Sequence, residues 1–204
     1  AAGEAAQRLA GELGHDSCPV VSTFHAFALK ELSRAAQAAG EPPPVLIDGA
    51  PAMDRDGQGE GQAGNRMTLD DLVPALVEGI RTGRVPPPDV KHILVDEFQD
   101  ISDDQYQLVA LLGEYASSVF CVGDPDQSIY GFRGAVPAVF ERFESDHPDC
   151  VRHVIGDTYR LTPPVVEVAR FVAGRAAGSG AVLRSVAGLG GEPTPVVLCS
   201  ARNA

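Results

Sequence analysis

The sequence predicts an α/β fold, a parallel sheet covered by helices. Two observations carry that expectation. Two near-continuous apolar runs, HILV (92–95) and SVFCVGD (118–124), each stop at carboxylates. Between them lies a helical segment (103–115) whose apolar side is Tyr106, Leu108, Val109, Leu111 and Leu112. Apolar runs of this kind suit strands covered on both faces, and strand–helix–strand in this order is a right-handed crossover unit.

The other elements follow along the chain. Residues 1–13 place Ala2, Ala5, Ala6, Leu9, Ala10 and Leu13 at helical spacing among polar residues, an amphipathic helix. CPVVS (18–22) reads as a short strand. Thr23 can N-cap a helix through FHAFALKELSRAAQAAG that closes at Gly40. Residues 41–66 hold EPPP and DRDGQGEGQAGN and read as a flexible surface segment, with 50–66 expected to be poorly ordered. Helical patterning returns after Thr68, although Pro74 sits too late for the first turn. VPPPD (85–89) is a rigid extended linker. Beyond residue 124, VPAVFERFE reads as a helix, VRHVIGD (151–157) as a third strand, TPPVVEVARFVAGRAA (162–177) as a helix and VVLCS as a last strand.

Composition narrows the function classes. The chain has 204 residues, 44% of them hydrophobic, enough for one sizeable core. No apolar run approaches the roughly 20 residues that cross a bilayer, so no membrane partner is expected. The start shows no basic segment followed by an apolar one, and the first residue is Ala, as at the boundary of a processed or longer chain. Cys18, Cys121, Cys150 and Cys199 show no CxxC spacing, which argues against zinc and for reduced thiols in a cytoplasm. A net charge of −12 argues against a protein that holds DNA by a broad basic surface. A narrow groove with a few specific residues stays open.

In parallel α/β sheets ligands bind outside the carboxyl ends of the strands. HILVDE puts Asp96 and Glu97 at one such end, and FCVGDPDQ puts Asp124, Asp126 and Gln127 at the next. One or two carboxylates plus phosphate oxygens are what Mg²⁺ requires, and a neighbouring Glu can activate a water. A Gln on the next strand end can touch a transferring phosphate. An isolated Asp-Glu pair would instead read as a helix cap or a solvated turn. Here DEFQD and GDPDQSIYGFRGA occur in order, each after an apolar strand.

DEFQD, then VGDPDQSIYGFRGA, then TYR (158–160) resemble motifs two, three and four of the UvrD/Rep-type superfamily-one DNA helicases. STFHAFALKEL resembles that family's TFH segment, LDDL its acidic segment before motif two, and AAGEAAQRL the helix after its motif Ia. The resemblance implies a RecA-like parallel sheet, part of a P-loop NTPase motor domain, with a reduced helical insertion. It implies residues 1–26 and 89–156 in the first motor domain, 27–88 in a helical insertion with the linker 41–66, and 157–204 at the start of the second motor domain. It also implies ATP and Mg²⁺ as cofactors, and single-stranded and duplex DNA as partners. Asp96 would hold Mg²⁺ with Glu97 beside it, and Glu97 would activate the hydrolytic water. Gln127 would sense the γ-phosphate, Arg160 would contact it, and Tyr159 would stack on the adenine. Thr23, His25, Tyr130, Phe132 and Arg133 would face single-stranded DNA, where aromatic stacking and an Arg suit sequence-blind binding. Each has a plainer role: His25 as a helix-terminus residue, Tyr130 and Phe132 as core aromatics, Arg133 in a surface ion pair.

The phosphate loop of that family, GxxxxGK followed by Ser or Thr, does not occur in these residues. The backbone amides and Lys of that loop give most of the phosphate grip. The 204 residues alone are therefore expected to be inactive, and the whole protein to be an ATP-dependent 3′-to-5′ helicase of repair or replication. The alternatives are the motor subunit of a helicase–nuclease complex and a non-catalytic helicase-like interaction module.

Overall fold

The computed structural model describes residues 2–13, 19–48, 65–128, 138–173 and 184–186. Two compact units divide the chain. The first takes residues 1–123 and 130–136, the second 124–129 and 137–204.

The first unit begins with α1 (Ala2–Leu13). Residues 19–22 form no strand, contrary to the sequence expectation for 18–22. Pro19 brings no N–H to a ladder, and no neighbouring strand pairs with these residues among those described. Thr23 then caps α2 (Phe24–Ala39), its side chain accepting from the Ala26 N–H at 3.3 Å. Gly40 ends this helix in the left-handed conformation, φ 72°, and the Glu41 N–H returns to the Ala36 carbonyl. A residue without Cβ meets that backbone at little cost.

Two short strands follow, β1 (Val45–Leu46) and β2 (Arg66–Met67), paired in parallel. The margins of the 41–66 segment are thus tied to each other. Asn65 reinforces the tie by donating from its side chain to the Pro42 carbonyl. The expectation for 50–66 falls mostly outside the described residues. Helix α3 (Leu69–Arg81) starts at Thr68, whose N–H and hydroxyl both donate to Asp71 Oδ2 at 2.8 and 2.7 Å. Those bonds hold the Asp71 carboxyl below its ordinary range. The helix runs through Pro74, although Pro has no N–H for the carbonyl four residues back.

Packing explains why α3 tolerates that loss. Leu72, Val73, Leu76, Val77 and Ile80 are all buried in one core with Ala28 and Ala35 of α2, Val85, and Leu108, Leu111 and Leu112 of α4 (Asp103–Gly113). The Ala pair on α2 presents little bulk at this contact. At the far end of α3, a Cβ on Gly79 would meet Val85 Cγ2 at 2.6 Å, so only glycine allows the chain to fold back there.

The strands β3 (His92–Val95) and β4 (Ser118–Cys121) pair in parallel with Leu94 opposite Phe120. The predicted strand–helix–strand order is present. The expectation that both strands are buried is not met. Ile93 packs against the helical core and Val95 is buried, whereas Leu94 is 74% exposed and Phe120 55%. Alternation sends neighbouring side chains to opposite faces, and among the described residues helices cover one face only.

The second unit contains α5 (Val139–Asp146), α6 (Pro163–Ala173) and a parallel pair, β5 (Asp157–Thr158) with β6 (Arg184–Ser185). The third strand expected at 151–157 shrinks to β5. Val151, Val154 and Ile155 are 75%, 71% and 83% exposed, with no partner strand beside them among the described residues. Pairing starts where β6 supplies a partner, and Arg184 closes it with a two-pronged ion pair to Asp157 (2.7 and 2.9 Å). That guanidinium holds the Asp157 carboxyl below its usual range. The helix expected over 162–177 is described to Ala173, and the strand expected in VVLCS lies outside the described residues.

Candidate functional site

The chain leaves β3 through a tight turn that the sequence builds from both ends. Ladder bonding continues past the strand: Val122 N–H donates to the Val95 carbonyl (2.8 Å), and Phe98 N–H donates to the Val122 carbonyl (2.9 Å). Phe98 is fully buried and its ring lies 6.3 Å from that of Tyr106 on α4, tilted by 40°. Phe98–Asp100 then form one 3₁₀ turn, and Ser102 caps α4 in a reciprocal capping box with Gln105. Asp96 and Glu97 are left exposed at the end of β3.

Glu97 has φ 52° and ψ 43°, a left-handed backbone that a residue with a Cβ adopts at a cost of about 1–3 kcal/mol. Its N–H donates to Asp96 Oδ1 at 3.0 Å, and its carbonyl accepts from the Asp100 N–H at 2.9 Å. Gln99, only 2% exposed, donates from Nε2 to Glu97 Oε2 at 2.7 Å. Asp100 carries a buried Oδ1 that meets no donor among the described residues. The pattern D-E-x-Q in the sequence pointed to Asp96 and Glu97. It gave no sign that Gln99 turns inward and back.

The chain leaves β4 differently. Asp124 Oδ1 accepts from the Asp126 N–H (3.0 Å) and Oδ2 from Gln127 Nε2 (2.7 Å), around a 3₁₀ turn over Pro125–Gln127. Pro125, Asp126, Gln127 and Ser128 are all exposed. Asp96 and Glu97 belong to the first unit; Asp124, Gln127, Tyr159 and Arg160 belong to the second. Tyr159 is 81% exposed. Arg160 is exposed, and its backbone N–H donates to Thr158 Oγ1 at 3.3 Å.

Thr23 and His25 lie at the start of α2. The Thr23 hydroxyl already serves the helix cap. His25 lines a cavity of about 150 Å³ with Asp70, Val73, Pro74, Ser102, Asp104 and Gln105. Two carboxylates beside it make that cavity a poor seat for a phosphate. Tyr130, Phe132 and Arg133 lie outside the described residues. Cys121 and Cys150 are free thiols, and burial pushes Cys121 up to about 12, away from reactivity.

Among the described residues no group of three or more His, Cys, Asp or Glu side chains is arranged to hold a metal. Two adjacent carboxylates at a strand end nevertheless fit Mg²⁺, which keeps several waters and takes its remaining oxygens from phosphate. No described helix is long and apolar enough to cross a membrane.

Residues 86–148, which contain both strand ends, match the UvrD/REP helicase N-terminal domain. The chain is 32% identical over 123 residues to the ATP-dependent DNA helicase PcrA of Leuconostoc citreum, covering 56% of this chain and 16% of that protein. It is 35% identical over 128 residues to the ATP-dependent DNA helicase UvrD1 of Mycobacterium tuberculosis, covering 57% of this chain and 17% of that protein. With the ATP-dependent DNA helicase srs2 of Schizosaccharomyces pombe the identity is 44% over 105 residues, covering 52% and 12%. The aligned region is thus about a sixth or less of each relative's length. The resemblance to UvrD/Rep-type helicases seen in the motifs holds across these comparisons.

Proposed function

We propose that these residues are part of the ATP-hydrolysing motor of a DNA helicase. The observation that carries this reading is the turn after β3, where Asp96 and a left-handed Glu97 stand exposed on a buried base of Phe98 and Gln99. A merely solvated turn has no need of strained backbone beneath a carboxylate; strain of this kind gathers where geometry serves chemistry. The match over 86–148 and the helicase names of the relatives support the same reading.

In this reading the β3–β4 pair belongs to a RecA-like sheet. Asp96 would hold Mg²⁺ through water, and that ion would supply positive charge beside the phosphate oxygens. Glu97 takes a proton from the water that attacks the γ-phosphate. Gln127 releases Asp124 to touch that phosphate, Arg160 approaches it from the second motor domain, and Tyr159 offers its exposed ring to the adenine. Tyr130, Phe132 and Arg133, with Thr23, face single-stranded DNA. The acidic cavity makes His25 the least suited of this set. Translocation from 3′ to 5′ and a role in repair or replication complete the proposal. The 204 residues alone, with no GK-Ser or GK-Thr sequence, hydrolyse no ATP.

The test is Glu97→Gln in the full-length protein. Loss of a general base lowers DNA-stimulated turnover by about 10²- to 10⁴-fold while ATP binding persists. Turnover within twofold of wild type would remove Glu97 from this role.

A further inference from the structure

We infer that Gln99 is a positioning residue for the Glu97 carboxylate. The inference rests on the hydrolytic reading of the site and adds to it a buried residue that acts through Glu97.

Gln99 is unusual in its place. It is 2% exposed, one of two charged or polar residues buried among those described, in a turn whose Asp96 and Glu97 face solvent. Burying an amide costs free energy unless its polar atoms are bonded, so Leu or Met would fill the same space more cheaply. What an amide adds is direction. Its Nε2 sits 2.7 Å from Glu97 Oε2, a bond of ordinary length made to a charged acceptor.

An exposed Glu is free to rotate about three side-chain bonds, and ordering it costs side-chain entropy. The bond from Gln99 imposes that order before any substrate arrives. Backbone geometry makes the bond reachable. In the left-handed conformation at Glu97 the chain doubles back, and the 3₁₀ turn that follows brings residue 99 beneath residue 97. Phe98, fully buried between the two, fixes the turn to α4 through Tyr106. The strain at Glu97 and the burial of Gln99 therefore serve one end. Oε2 is held by the protein, and Oε1 is the oxygen presented to the attacking water. When that water adds to the γ-phosphorus and the bond to the ADP oxygen breaks, its proton passes to Oε1.

The experiment uses the full-length protein and reads DNA-stimulated ATP turnover, the KM for ATP, the pH profile and the melting temperature. Gln99→Met keeps the length and removes the donor. Its kcat should fall about 10- to 100-fold, the usual scale for groups that orient a reacting residue. Its KM for ATP and its melting temperature should stay near wild type. Gln99→Glu sets two carboxylates against each other, so they share a proton. The acid limb of its kcat profile should then move to higher pH. A Gln99→Met kcat within twofold of wild type, while Glu97→Gln is inactive, would overturn the inference and leave the base in place. A parallel loss of kcat, ATP affinity and melting temperature would overturn it too, by making Gln99 a packing residue. Turnover retained in Glu97→Gln would instead overturn the hydrolytic reading itself.

Discussion

The chain leaves β3 and β4 through turns of similar composition, DEFQD and GDPDQ, yet they are held by different means. After β3, Phe98 and Ile101 are buried, Gln99 is buried and bonded, and α4 starts at once on a capping box. The turn is fixed by a core, and the strain at Glu97 is sustained by that core. After β4, the hydrogen bonds run within four residues, Asp124 to Gln127, and Pro125, Asp126 and Gln127 are exposed. Its side chains bond back to the turn itself. A group that must hold one geometry through every cycle belongs on the first kind of support. On the proposed function, a group that must change partner when phosphate arrives belongs on the second, because one exposed hydrogen bond is exchanged at little net cost.

Substitutions can break or sharpen this contrast. The largest effect on stability should come from Phe98→Ala, at about 3–5 kcal/mol, since a fully buried aromatic leaves a cavity. Urea unfolding of the 204-residue chain measures it. A cost under about 1 kcal/mol would mean that the first turn stands without its core. Next is Ser102→Ala, which removes the acceptor for the Gln105 N–H at the start of α4. It should cost about 1 kcal/mol in the same titration. The smallest should be Gln127→Ala, within about 0.5 kcal/mol, because the residue is exposed and its partner Asp124 is held by a second bond. A Gln127→Ala as costly as Ser102→Ala would show the second turn to be anchored like the first.

The sequence by itself determined where α2 starts and stops and where α3 starts. Thr23 and Thr68 precede their helices as expected of capping residues, Ser102 caps α4 in the same way, and Gly40 ends α2 where only a left-handed residue fits. These signals are local: a cap and its partner lie within four residues, so chain order alone encodes them. The apolar runs with carboxylates at their ends were legible for the same reason, and so were Asp96 and Glu97. What covers a strand is decided between distant residues. HILV looked buried throughout, but its composition does not say on which side a layer packs, and Leu94 stands open while Ile93 meets the core. VRHVIGD had strand composition, and of it only Asp157, which pairs with Arg184 of β6, entered a strand. Gln99 belongs to the same class. Only a left-handed residue ahead of it and a buried Phe98 beside it turn an ordinary polar side chain inward, and both depend on α4 lying where Tyr106 can receive that ring.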